Sequence, residues 1–248
     1  MYEISLGAER LFSILGFPVT NALLLSTISL LVLAIVGFII KTKLKPIPGK
    51  LQSFFELLME QILKLMDAVL GSRHLSEKYL PIVATIFLFI VTSNWLGLLP
   101  GVGPLGLNIE NHGEHIFTPL FRAPAADLNF TIALAIISVF CVNFFGVMAL
   151  GFKRHAHKFF NFKNPVFSFA GILEFIAEFV KIISFSFRLF GNVFAGEVLL
   201  IIVGFLVPYV VPLPFLFLEV FVGFIQALIF AMLTLVFIAG AVSEEPAH

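Results

Sequence analysis

Charge is scarce in this chain of 248 residues. Asp, Glu, Lys and Arg make up 12% of it and apolar residues 60%, whereas soluble domains carry about 25% charged residues. A surface that poor in charge suits lipid rather than water, so the composition excludes an ordinary soluble protein and indicates an integral membrane one. Acidic and basic residues balance at 15 each, which leaves no basic excess to hold a nucleic acid. Cysteine is nearly missing. Cys141 alone excludes an internal disulfide or a thiolate metal cluster. There is no phosphate-cradling glycine loop and no Ser/His/Asp or Cys/His arrangement, so neither nucleotide chemistry nor a cofactor is expected on this chain. His112-Gly-Glu-His115 has a ligand-like spacing but no third ligand, and no metal is expected there. The first ten residues lack the basic start of a cleavable signal. Repeats and low-complexity linkers are also missing, so residues 1–248 read as a single membrane domain.

What the chain does have is apolar runs. The first, 21–40, fits one crossing of a hydrocarbon core about 30 Å thick. It ends at the basic, proline-broken stretch Lys41-Thr-Lys-Leu-Lys-Pro-Ile-Pro-Gly-Lys50. Residues 51–70 differ: Glu56, Glu60, Lys64 and Asp67 recur along one stripe of an otherwise apolar helix. That pattern predicts an amphipathic helix lying in the interface, or packed on other protein. Further spans are predicted over 79–99, with Tyr79 and Trp95 as aromatic anchors near its ends, and over 128–152. A Pro/Gly-rich loop separates the two. His155 and His157 fall in a short basic loop and are expected at the headgroup surface.

Two long segments, 165–206 and 214–242, finish the chain. At about 1.5 Å per residue the first is roughly 60 Å long, twice the hydrocarbon thickness. It must lie steeply inclined or break within the membrane. The fold class expected is therefore all-α: about five membrane-embedded helices plus one interfacial amphipathic helix, the last two forming a long, steeply tilted hairpin. Lysine and arginine collect in the 41–50 turn and the 153–163 loop, while the 100–127 loop has only Arg122 and the 207–214 turn none. The positive-inside rule then places the N-terminus outside and the C-terminus inside.

Arg188 lies within Ser184-Phe-Ser-Phe-Arg-Leu-Phe-Gly-Asn-Val-Phe-Ala-Gly-Glu197, a stretch otherwise suited to membrane interior. A guanidinium cannot shed its charge to make burial cheap, and it costs about 2.5–3.5 kcal/mol or more at a helix centre. Such a residue points to an ion path or a partner's carboxylate. At 100° per residue Glu174, Lys181 and Asn192 fall within about 40° of Arg188, and Glu197 lies on the opposite face about 13 Å further along. In the last helix Glu219 and Gln226 are seven residues apart and share a face. Carboxylates toward both sides with an arginine between them are what two offset half-channels require. A secondary transporter, a pumping subunit of a respiratory complex and a plain membrane anchor are the competing readings. The first predicts inverted repeats, which the chain lacks. The last would not keep six polar side chains, Glu174, Glu178, Lys181, Arg188, Asn192 and Glu197, at membrane depth in one helix.

These residues resemble subunit a of rotary ATP synthases. Arg188-Leu-Phe-Gly-Asn192 continuing to Ala195-Gly-Glu197 looks like that family's signature, supported by Asn94-Trp-Leu-Gly-Leu-Leu-Pro100, Ala126-Asp-Leu-Asn129 and Gln226-Ala-Leu-Ile-Phe230. The resemblance implies that Arg188 faces the carboxylate of a ring of c subunits. It implies that Glu197, Glu219 and Gln226 line the outer proton path with Asn192 near the arginine, and that Glu174 and Lys181 stand on the inner side. Glu219 occupies a position that is histidine in some members and glutamate in others. The implied partners are the c-ring, the peripheral-stalk b subunits and the lipid bilayer. The basic interior loops fit a bacterial plasma membrane, with an organelle membrane as the alternative.

Overall fold

The computed structural model describes residues 7–14, 16–99, 102, 105–111, 114–153, 155, 165–208 and 210–243. His112, His157 and the tail 244–248 lie outside them. Six long helices dominate the described residues: α1 (Asn21–Thr42), α2 (Lys50–Leu70), α3 (Arg73–Gly97), α4 (Leu128–Leu150), α5 (Pro165–Leu206) and α6 (Pro212–Val242). All but α2 are long and apolar enough to cross a membrane.

Local chemistry sets the ends. Thr20 caps α1 by accepting from the Leu23 amide, and Asp127 caps α4 by accepting from Asn129. Gly71, at φ 64°, closes α2 in the left-handed conformation that glycine adopts without strain. Helix α3 begins at Arg73, six residues before the apolar run expected to start at 79. Exposed ion pairs accompany its charged first turns, where Arg73 bridges Asp67 at 3.0 Å and Glu77 at 3.2 Å. Two short antiparallel hairpins were not anticipated. Strands β1 (Arg10–Ile14) and β2 (Phe17–Thr20) precede α1. Strands β3 (Gly106–Asn111) and β4 (Glu114–Pro119) occupy the stretch expected to be loop, where Leu107 and Ile109 alternate with Asn108 and Glu110 in the period of a strand.

The core forms where α3, α4, α5 and α6 meet, around Val83, Phe87, Ile90, Ala135, Val142, Phe185, Leu189, Phe230 and Leu235. Polar groups stitch the helices across it. Thr131 and Ser186 are 3.0 Å apart between α4 and α5, and Ser138 and Thr234 3.2 Å apart between α4 and α6. Bonds of this kind replace the hydrophobic drive that lipid cannot supply. Tyr79, expected as an interfacial anchor, is instead fully buried, its ring edge-to-face with Phe145 at 5.0 Å. The amphipathic α2 turns Ile62, Leu63 and Met66 inward while Phe54 and Leu57 stay exposed.

Candidate functional site

Helix α5 carries the polar residues, and its neighbours sort them into three levels. At the middle stands Arg188, exposed on an open face with Ser184, Gly191, Asn192 and Ala195. Its Nη2 donates to Ser184 Oγ at 3.3 Å, and Asn192 Nδ2 donates to its carbonyl at 3.0 Å. No carboxylate among the described residues pairs with it. Phe185, Leu189, Gln226 and Phe230 line a shallow recess with it, so Gln226 of α6 comes to the arginine's level. Small residues on this face let another helix approach closely.

About 13 Å along the helix, at the second level, Glu197 Oε2 meets Arg122 Nε at 3.3 Å. Arg122 is buried, 7% exposed, and also donates from Nη1 to the Gly7 carbonyl at 2.7 Å. Its guanidinium lies over the Phe194 ring, 6.0 Å from the centroid. Glu219 reaches into the same region from α6, only 8% exposed. Its carboxylate fills the space that a side chain at position 196 would need, so Gly196 is what lets the two acidic residues share one seam. Two further bonds fix α6 there: Asn94 Nδ2 donates to the Gly223 carbonyl at 3.1 Å and Trp95 Nε1 to the Val220 carbonyl at 3.0 Å. Each carbonyl borrowed from α6 is tied to a side chain of α3, which sets the register of Glu219 against α5.

The third level lies on the other side of Arg188. Lys181 Nζ bonds Glu178 Oε1 at 2.7 Å and sits 4.8 Å from the centre of the Phe237 ring. Glu178 Oε2 accepts from Asn143 Nδ2 at 3.1 Å, and Asn143 Oδ1 is 3.1 Å from His155 Nε2. His155, expected at the headgroup surface, is buried instead, packed against Gly146, which has no side chain to exclude it. The face expected to be shared by Lys181 and Arg188 is thus divided, because Lys181 turns to α6 while Arg188 stays open. Glu174, one turn before Glu178, is half-buried.

Three participants were not singled out from sequence as site residues. Arg122 was legible only as the lone basic residue of its loop. Asn143 interrupts the apolar run of α4, the signal that intramembrane polarity offers. Nothing in the local sequence tells His155 from its neighbours.

Fold and site together define a polytopic helical membrane protein whose charged groups are held at three depths along one helix. Residues 23–239 match the family described as ATP synthase A chain, and the chain belongs to that family. Among its relatives, ATP synthase subunit a of Campylobacter jejuni serotype O:6 is 34% identical over 221 residues, 88% of each chain. Those of Mycobacterium marinum and Mycobacterium tuberculosis are 34% identical over 252 residues, 99% of this chain and 96% of theirs.

Proposed function

We propose that this chain is the proton-translocating stator subunit of a rotary ATP synthase, that Glu197, Glu219 and Gln226 line an outer half-channel, and that Glu174, Glu178 and Lys181 line an inner one. Arg188 separates the two and faces the carboxylate of a ring of c subunits. The observation that carries the reading is the open guanidinium: Arg188 stands on an exposed helix face of small and uncharged polar residues, with no acidic partner among the described residues. A permanent charge placed so at membrane depth is stable only if another chain supplies the counter-charge.

The physics of the cycle follows from that position. A ring carboxylate deprotonated in one half-channel is attracted by Arg188 with about 4 kcal/mol at 4 Å and an effective dielectric of 20, enough to bias the ring without trapping it. A protonated carboxylate has no such attraction and moves on into the apolar surroundings. Each charge crossing the membrane potential supplies about 2.3 kcal/mol per 100 mV. Protons that enter on one side and leave on the other give the rotation a direction, and Arg188 blocks a direct leak because a proton would have to pass a fixed positive charge. The length of α5, 42 residues, suits a helix laid obliquely along a curved ring wall.

The distribution of lysine and arginine supports a bacterial plasma membrane with the N-terminus outside and the C-terminus cytoplasmic. The b subunits of the peripheral stalk hold the stator against the torque. Arg188→Ala tests the reading. ATP-driven proton pumping in vesicles should fall by about a thousandfold, the equivalent of the lost 4 kcal/mol, while the c-ring still co-purifies. Undiminished pumping by an assembled Arg188→Ala complex would falsify it.

A further inference from the structure

The segment before α1 is pinned at two points, the first of them on the Glu197 level. Gly7 accepts from Arg122 at 2.7 Å. Two residues on, the Glu9 amide donates to Asn21 Oδ1 at 3.2 Å, and the Asn21 amide donates back to the Glu9 carbonyl at 3.1 Å. Asn21 is itself wholly buried, and its Nδ2 donates to the Pro119 carbonyl at 3.3 Å, tying the segment to the end of β4. These bonds use only the backbone of Glu9. Its carboxyl group is left over, half-exposed, with Oε2 buried and no hydrogen-bond partner among the described residues.

Among the described residues, the charged groups that act on that carboxyl are Arg122, from the stretch after β4, and Glu197 of α5, which Arg122 also contacts. Its strand neighbour Arg10 is exposed. Two carboxylates around one guanidinium carry a net negative charge when both are ionised, and the trio is neutral with one proton aboard. Resting on the half-channel reading above, we propose that Glu9 is the outermost proton-loading carboxylate of the outer half-channel, taking a proton from external water and passing it to Glu197, with Arg122 holding the two acids in one cluster. An O–H bond forms at Glu9 and breaks as the Glu197 carboxylate accepts the proton, so the trio returns to its starting charge once Glu197 hands on to Glu219. Burial holds the Glu9 carboxyl above the ordinary carboxylate value against the opposing charge of Arg122. It therefore keeps a proton at a higher pH than an exposed glutamate does.

The test uses the whole complex in vesicles and records ATP synthesis against the pH of the compartment that supplies protons. Glu9→Gln should match the parent at about pH 6 and run about threefold slower at about pH 8, where protons are too dilute to load Glu197 unaided. Glu9→Asp should restore the alkaline limb. A Glu9→Gln profile that overlays the parent overturns the assignment. So does an equal loss at every pH in both variants, or a failure to assemble, since either marks a merely structural side chain. Glu219→Gln, measured alongside, separates the two ideas. If that variant also matches the parent, the half-channel reading has failed; if it cuts synthesis while the Glu9→Gln profile overlays the parent at every pH, only the role of Glu9 falls.

Discussion

Arg122 and Arg188 make opposite use of the same side chain. Arg122 is buried, with Glu197, the Gly7 carbonyl and the Phe194 ring around it. Arg188 is exposed and has one hydroxyl of its own helix, Ser184, as its side-chain partner. A guanidinium costs too much at membrane depth to be kept for nothing. Where the chain itself supplies the counter-charge, the arginine organises structure and tunes its acidic neighbour. Where the chain withholds it, the proposed function has a carboxylate of another molecule supply it. The two acidic levels repeat the contrast more mildly: Glu178 is locked between Lys181 and Asn143, whereas Glu219 is buried with no ion pair among the described residues.

Substitutions can split the contrast into its parts. The largest effect after that of Arg188→Ala is expected at Glu219→Gln, which keeps the shape but removes the exchangeable proton. Proton flux through the assembled complex should drop by about a hundredfold, the low end for loss of a positioned proton donor. Unchanged passive and driven flux would remove Glu219 from the path. Next comes Arg122→Gln, which leaves Glu197 facing a neutral side chain at a level where its partner was 7% exposed. The cost should be about 2 kcal/mol, less than the full penalty for a deeply buried pair because Glu197 keeps some contact with solvent. Thermal unfolding of the detergent-solubilised protein measures it. A loss as small as that of Arg188→Ala in the same assay would erase the distinction between the two arginines. The smallest effect is expected at Asn94→Ala, where one side-chain bond to the Gly223 carbonyl disappears for about 1 kcal/mol. Its Tm should fall slightly, and flux should fall further than stability does, because Glu219 loses its register against Gly196.

The helices were legible because apolar runs of membrane length have few alternative readings, and the polar residues of α5 stood out against them. Periodicity alone placed Arg188 and Glu197 on opposite faces, and the structure has one open and the other turned to Arg122. The partners of those residues were harder to see. Arg122 sits 75 residues from Glu197 and Asn143 35 from Glu178, separations at which no local pattern signals contact. His155 and Tyr79 were assigned to the membrane surface by residue type, but Gly146 and Phe145 offered each a packed site. The hairpin over 106–119 was read as loop because proline and glycine around it masked a short strand alternation.

The most direct measurement is a density map of the assembled complex at a resolution that shows side chains around α5. The account predicts the Arg188 guanidinium at about 4 Å from a carboxylate of a different, ring-forming polypeptide, or separated from it by a single water. A guanidinium in open solvent, or one closed onto an acidic residue of its own chain with no ring beside it, would contradict the account.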